Sequence, residues 1–290
     1  MEINSTSVVV ITGASSGLGA ALAVACGTKG ATTVLVARRE DKLREVADAV
    51  SAAGGRPQII VADVSKEAEC YRVIDAVAQT HGIIDVLINN AGRGNLASVE
   101  DTPTEQWHSM FAVNVDSVFW CTTRALPIMR NQNRGSIIAI SSVAGKYGHP
   151  YNAAYVAAKH AVVGFIAALR TELVGSNINA TVICPAGVST EWADVTEGGS
   201  IGALYGKAIP LSRTIARERD LTTAPLSRMM TAQACAAIIL EAIEQGRTTD
   251  IFTHQGTALI AQEAARDRCA QEDQFEALWL AMRQVYTNGA

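Results

Sequence analysis

Tyr155 and Lys159 stand four residues apart in Y-V-A-A-K, Ser142 lies thirteen residues before the tyrosine, and T-G-A-S-S-G-L-G fills Thr12 to Gly19. A phenol with an ordinary pKa of about 10 exchanges protons poorly at neutral pH, but a cation near it favours the phenolate. At i and i+4 the two side chains share one helix face. The glycine-rich turn has the form in which backbone N–H groups at the positive end of a helix receive a dinucleotide's pyrophosphate. Together these residues describe the acid/base partner of a hydride carrier.

Such residues must be positioned by a scaffold, and the pattern along the chain supplies one. Apolar, β-branched runs at 7–12, 32–37, 58–62, 84–89, 136–141 and 179–184 read as strands, each buried on both faces. Between them, alanine-rich stretches at 18–29, 40–53, 66–81, 104–132 and 152–174 have helical period. Continuous apolar strands separated by helices imply an α/β fold, a Rossmann-like, doubly wound parallel sheet. Residues 1–255 are expected to form a single dinucleotide-binding and catalytic domain. Within it, 186–230 has no clear period and reads as an irregular substrate lid. A helix at 231–245 and a last strand at 249–253 follow, and 256–290 reads as a C-terminal helical extension.

Composition excludes other classes. The 290 residues are 49% hydrophobic with a formal net charge of -4 and no long Lys/Arg run. Bulk electrostatics therefore point away from nucleic acid and membrane surfaces and toward small-molecule partners. Six cysteines at 26, 70, 121, 184, 235 and 269 show no metal-ligand spacing, so no metal is expected and the thiols read as reduced and buried. Residues 1–6 carry no charged-then-apolar leader and no apolar run approaches the ~18 residues of a membrane span, so the cytoplasm is the expected location.

The cofactor site is expected at Gly13, Ser15, Ser16, Gly17, Leu18 and Gly19. An acidic residue at the end of the second strand would receive ribose hydroxyls, but Ala37 stands there, followed by Arg38 and Arg39. Guanidinium groups suit a 2′-phosphate, which favours NADP(H) over NAD. Asp63, beside Val64 after the third strand, is placed to meet the adenine amino group. Asn90, Ala91 and Gly92 end the fourth strand at the edge where doubly wound sheets bind ligands.

At this point the chain resembles the short-chain dehydrogenases/reductases, in the single-domain branch with T-G-x-x-x-G-x-G. The motifs in order are T-G-A-S-S-G-L-G, A-D-V at 62–64, N-N-A-G, Asn114 in A-V-N-V-D, I-S-S at 140–142 and Y-x-x-x-K, over roughly residues 7 to 255. The resemblance implies that Tyr155 is the general acid, that Lys159 lowers its pKa and binds the nicotinamide ribose, and that Ser142 holds the substrate oxygen. Asn114 would hold a kinked helix and a water leading protons to Lys159. Pro185, Val188 and Thr190 would flank the nicotinamide, with Ala186 where the family usually has glycine.

The substrate pocket is expected to draw on Val143, Tyr147, Trp192 and Tyr205, which suits an apolar or ring-bearing carbonyl compound; His149 reads as a loop residue. The resulting expectation is an NADPH-dependent reductase turning a ketone or aldehyde into an alcohol, as a homodimer or homotetramer. An NAD-dependent alcohol dehydrogenase working oxidatively and a non-catalytic dinucleotide sensor are the rivals.

Overall fold

Successive residues of a strand point to opposite faces, and Val8–Thr12 is buried at every position, so both faces of its sheet must be covered. The computed structural model describes residues 2–193 and 196–289 and contains that arrangement. In chain order the strands are β1 (Val8–Thr12), β2 (Thr32–Ala37), β3 (Arg56–Val61), β4 (Val86–Asn89), β5 (Gly135–Ile140), β6 (Ile178–Cys184), β7 (Val188–Ser189), β8 (Met230–Thr231) and β9 (Asp250–Phe252). The helices are α1 (Gly17–Gly27), α2 (Glu40–Ala52), α3 (Glu67–His81), α4 (Thr104–Phe111), α5 (Ser117–Asn131), α6 (Ala153–Glu172), α7 (Ile201–Arg219), α8 (Ala232–Glu244), α9 (Thr257–Arg266) and α10 (Arg268–Thr287).

Seven strands form a parallel sheet in the order β3-β2-β1-β4-β5-β6-β9. The chain winds outward from β1 to β3, then restarts on the other side of β1 with β4. The carboxyl ends of β1 and β4 therefore diverge at a switch point, where such sheets form a ligand crevice. Val8 and Val10 pack with residues of α3, α5 and α6, while Val9 and Ile11 pack with those of α1, α2 and α8. β3 is the exception to two-sided burial: it lies at the sheet edge and Val61 is exposed.

Other expectations change on contact with tertiary structure. The stretch 104–132 is not one helix, because a π-helical turn at Ala112–Asp116 separates α4 from α5. The irregular stretch 186–230 contains the nineteen-residue α7 and the short parallel pair β7–β8. Ile201, Leu204, Ala208 and Ile215 do recur on one buried face, but Gly202, Gly206 and Pro210 mask that period in the sequence. The C-terminal stretch breaks at Asp267, whose carboxylate accepts the Ala270 N–H at 3.1 Å and starts α10. α10 packs on both α7 and α9, in a cluster that joins Leu204, Ile260, Phe275, Leu278 and Met282 with Leu96, Val143 and Tyr147 from the sheet's loops. Cys269 on α10 is exposed, whereas the other five thiols are buried as expected. Among the described residues one helix, α6, is long and apolar enough by length and composition to cross a membrane. Its Tyr155, Ala158, Lys159, Val162, Ile166 and Leu169 are buried inside the protein.

Candidate active site

The switch point is held together by the ends of β1 and β4. Thr12 Oγ1 accepts the backbone N–H groups of Asn90 and Ala91, both at 3.0 Å, and the Asn90 amide donates to the carbonyls of Thr12 (3.0 Å) and Gly13 (3.2 Å). A Cβ on Gly13 would stand 2.8 Å from Ala91 Cα, and one on Gly19 would stand 2.3 Å from the Gly13 oxygen. Gly13 and Gly19 are thus required by the packing of the turn itself. Gly13 and Gly17 also have φ of +67° and +56°, a region that disfavours side chains. α1 has no acidic residue in its first turn, and the Ser16 side chain does not cap it. That leaves the positive end of the helix suited to an anion, as a pyrophosphate cradle requires. Leu18 is partly buried and packs against the core beneath the turn.

Arg39 reaches from the start of α2 to the glycine-rich turn, donating to Ser15 Oγ (3.1 Å) and Ser16 Oγ (2.8 Å). Arg38 is exposed and acts on Asp63. Burial pushes the Asp63 carboxyl up, but hydrogen bonds from Ser65 and the charges of Arg38 and Lys66 outweigh it and hold the group below its ordinary value. Val64 is buried beside it.

Around Tyr155 the predicted residues converge. Ser142 precedes a short 3-10 turn, where its Oγ accepts the Ala144 N–H at 3.1 Å and donates to the Pro185 carbonyl at 3.4 Å. Its hydroxyl also acts on the Tyr155 phenol, in the direction that favours the phenolate. Lys159 Nζ donates to the Ile140 carbonyl at 2.9 Å and lies 5.4 Å from the centre of the Tyr155 ring. Asn114 sits in the π-helical turn, fully buried, with its amide nitrogen donating to the carbonyls of Arg93 (3.0 Å) and Met110 (2.9 Å). Its Oδ1 has no hydrogen-bond partner, and a Cβ on Gly92 would fall 2.6 Å from that oxygen and 3.2 Å from Lys159 Nζ. Glycine at 92 therefore keeps the way open between the two polar groups.

The electrostatics differ from the expectation that Lys159 lowers the tyrosine pKa. Burial holds the Tyr155 phenol above its ordinary value, and the hydrogen bond with Ser142 acts in the opposite direction. Lys159 is itself depressed to about 8 by burial. Desolvation by burial dominates, and Trp192 lies over the tyrosine with ring centroids 5.1 Å apart. Trp192 in turn rests on Gly94, where a Cβ would meet its ring at 2.8 Å.

Of the four residues expected to line the substrate pocket, Trp192 is the one whose ring meets Tyr155. Val143 is buried directly after Ser142, its N–H donating to the Pro185 carbonyl at 2.9 Å. Tyr147 is buried against Phe275, with its phenol pushed up to about 12 by burial. Tyr205 pairs its hydroxyl with His149 Nδ1 at 3.0 Å. Tyr147 and Tyr205 are therefore packing residues of the cover formed by α7 and α10. His149 is in a loop, as expected, and there it lies among Tyr147, Trp279 and Tyr205, and burial lowers its pKa to about 4. A groove of about 640 Å³ runs from Ser16 and Gly17 along α1 to Gln233 and reaches Thr190, away from Tyr155.

Pro185, Val188 and Thr190 lie on a strap between these two centres. Pro185 meets Ser142 at one end, and Thr190 Cγ2 would stand 3.2 Å from a Cβ on Gly17 at the other. Val188 is fixed in β7 opposite Met230. Ala186 has no positive φ, so nothing in this turn demands glycine there. Two buried residues escaped the sequence reading. Asn95 Oδ1 accepts the Tyr155 N–H at 3.2 Å and its own N–H donates to Asn152 Oδ1 at 3.3 Å. His254, after β9, binds Ala186 and Gly187. A lone Asn in a turn and a lone His after a strand carry no periodic or motif signal.

This geometry brings a buried phenol, a serine and a buried lysine together near the carboxyl edge of the sheet. The short chain dehydrogenase family model matches residues 7–198. A 3beta-hydroxysteroid dehydrogenase of Mediterraneibacter gnavus is 36% identical over 184 residues, covering 63% of this chain and 66% of that one. A D-beta-hydroxybutyrate dehydrogenase of Rhizobium meliloti is 37% identical over 187 residues, 64% of this chain and 72% of that one. The crystal structure of a short chain dehydrogenase/reductase from Burkholderia phymatum in complex with NAD superposes with a TM-score of 0.78 at 29% identity, covering 93% of this chain and 96% of that one. The sheet order, the glycine-rich turn, the ordered motifs and these matches agree: the chain belongs to the short-chain dehydrogenase/reductase family of oxidoreductases.

Proposed function

We propose that the protein is an NADPH-dependent reductase that converts a ketone or aldehyde to an alcohol. The observation that carries this reading is the convergence of Ser142, Tyr155, Lys159 and Asn114 at the carboxyl edge of the sheet. The bound dinucleotide would supply the hydride. Tyr155 would donate its phenolic proton to the carbonyl oxygen, and Ser142 would hydrogen-bond that oxygen as negative charge develops. Lys159, depressed to about 8, would stabilise the resulting phenolate and return a proton to it. Asn114 Oδ1, buried beside Lys159, is suited to connect that proton to solvent through a water.

The NADPH preference rests on Arg39, already bonded to Ser15 and Ser16, and on exposed Arg38 beside Asp63. These two guanidinium groups, with the serine hydroxyls, would hold a 2′-phosphate. NAD-linked oxidation of an alcohol is the second reading, favoured by the NAD in the similar Burkholderia phymatum structure. An apolar or ring-bearing substrate is supported by Trp192 over Tyr155 and by buried Leu96 and Val143 nearby. Exposed Trp107 on α4 and Phe119 on α5 support association into a homodimer or homotetramer.

Following nicotinamide absorbance across aliphatic, aromatic, diketone and polycyclic carbonyls tests the reaction. Tyr155→Phe should lower kcat by about 10²- to 10⁴-fold, the usual contribution of a positioned acid, while dinucleotide binding persists. Equal turnover by the variant would refute the assignment. Arg38→Ala and Arg39→Ala should each weaken NADPH far more than NADH; equal losses for both would favour the NAD-linked reading.

A further inference from the structure

The strap from Pro185 to Thr190 spans the interval between the glycine-rich turn and Ser142. A dinucleotide with its pyrophosphate at that turn and its nicotinamide beside Tyr155 must pass along this strap, so the strap's backbone sets the cofactor's position. What holds the strap is a histidine. His254, only 5% exposed, follows β9 and turns both ring nitrogens onto it. Nδ1 accepts the Ala186 N–H at 3.2 Å, and Nε2 lies 2.9 Å from the Gly187 carbonyl.

These contacts fix the tautomer. A backbone N–H can only donate, so Nδ1 must be the unprotonated nitrogen, and Nε2 must carry the proton that Gly187 accepts. The Thr253 hydroxyl, 2.8 Å from Nδ1, donates to it as well. The histidine's own carbonyl accepts from Thr257 Oγ1 at 2.7 Å, at the start of α9, which anchors the backbone that carries the ring. The Gly187 carbonyl also accepts the Met230 N–H at 2.9 Å, which joins the strap to β8. One imidazole thus satisfies successive peptide groups of opposite polarity at the position where the family usually has glycine.

We infer that His254 is a positioning residue: as a neutral imidazole protonated on Nε2, it clamps Ala186 and Gly187 and so preorganises Val188 and Thr190 for the nicotinamide half of the cofactor. This rests on the dinucleotide-dependent reading above. Leaving the Ala186 N–H unpaired, and the Gly187 carbonyl with Met230 as its remaining donor, removes preorganisation that the cofactor must then restore on binding.

The test compares His254→Ala, His254→Asn and His254→Gln in the full chain. Asparagine places an amide oxygen near Nδ1 and can accept the Ala186 N–H. Glutamine places an amide nitrogen near Nε2 and can donate to Gly187. Three quantities are read: dinucleotide Kd by fluorescence, hydrogen exchange of the 185–190 peptide without cofactor, and kcat at saturating dinucleotide. His254→Ala should raise Kd about tenfold, in line with an unpaired, partly buried backbone group, speed exchange in the strap and leave kcat within a few-fold. Asparagine and glutamine should each recover part of the affinity. Lowered thermal stability with unchanged Kd and strap exchange would overturn the assignment and leave a purely structural histidine. If wild-type protein binds neither NADPH nor NADH, the dinucleotide reading itself falls. Binding by wild type that His254→Ala leaves unaltered overturns only the role of His254.

Discussion

Lys159 illustrates how a residue chosen for charge is housed where charge is costly. It is 4% exposed, with its Nζ on a single backbone carbonyl, and burial depresses its pKa from 10.5 to about 8. The unfolded chain therefore binds a proton more tightly than the native one between pH 8 and 10.5, so this group's contribution to stability rises with pH across that window. Below about pH 8 its penalty is fully present. Lys159→Met removes the titration, and chemical denaturation of both proteins should show wild type gaining stability relative to the variant from pH 8 to 10.5. A constant gap would mean that Lys159 titrates normally in the folded protein.

At the scale of elements, a third hydrophobic cluster is built by α7, α9 and α10 together with loops of the sheet. His149 marks the junction, bonded to Tyr205 of α7 and packed edge-on against Trp279 of α10 at 5.7 Å. Its pKa falls from 6.5 to about 4 through burial, so acid protonates the unfolded chain first and stability is lost as pH drops from 6.5 toward 4. His149→Phe should remove that loss, narrowing the difference between melting temperatures at pH 7.5 and pH 5; an unchanged difference would place the acid sensitivity elsewhere. Tyr286 adds a second tie, stacking on Tyr151 with centroids 4.0 Å apart and accepting the Ser98 N–H at 3.1 Å. These ties explain why a period-masked helix, α7, is nevertheless stable: its apolar face is shared with α10.

For the whole molecule, the sheet ends at a three-residue strand, β9, that needs anchoring because it precedes both His254 and the C-terminal helices. Asp250 provides it, paired with Lys146 after β5 and with Arg170 of α6, the latter at 2.8 Å. Burial pushes the Asp250 carboxyl up, but hydrogen bonds from Lys146 and Arg170 prevail and hold it below 3.8. Its stabilisation is therefore present above the ordinary carboxylate range and lost as pH falls through the lower folded value. Asp250→Asn should cost about 2 to 3 kcal/mol at pH 7, between the exposed and buried limits for an ion pair, and the difference from wild type should shrink in strong acid. Denaturant midpoints at pH 7 and pH 3 measure both.

Residues whose signal is local were legible in the sequence. The glycine-rich turn and the Tyr155–Lys159 pair could be named because their spacing resides in neighbouring residues, Ser142 and Asn114 followed from the resemblance to the family, and the alternation of strand and helix pointed to the doubly wound class. Tertiary structure alone decided what depends on residues far apart in the chain. Trp192 covers Tyr155 across 37 residues, and His254 reaches back 68 to Ala186. Packing of α10 on α7 completes a helix that Gly202, Gly206 and Pro210 conceal. Desolvation, which holds Tyr155 up and Lys159 down, is a property of the enclosed volume that only the assembled chain creates.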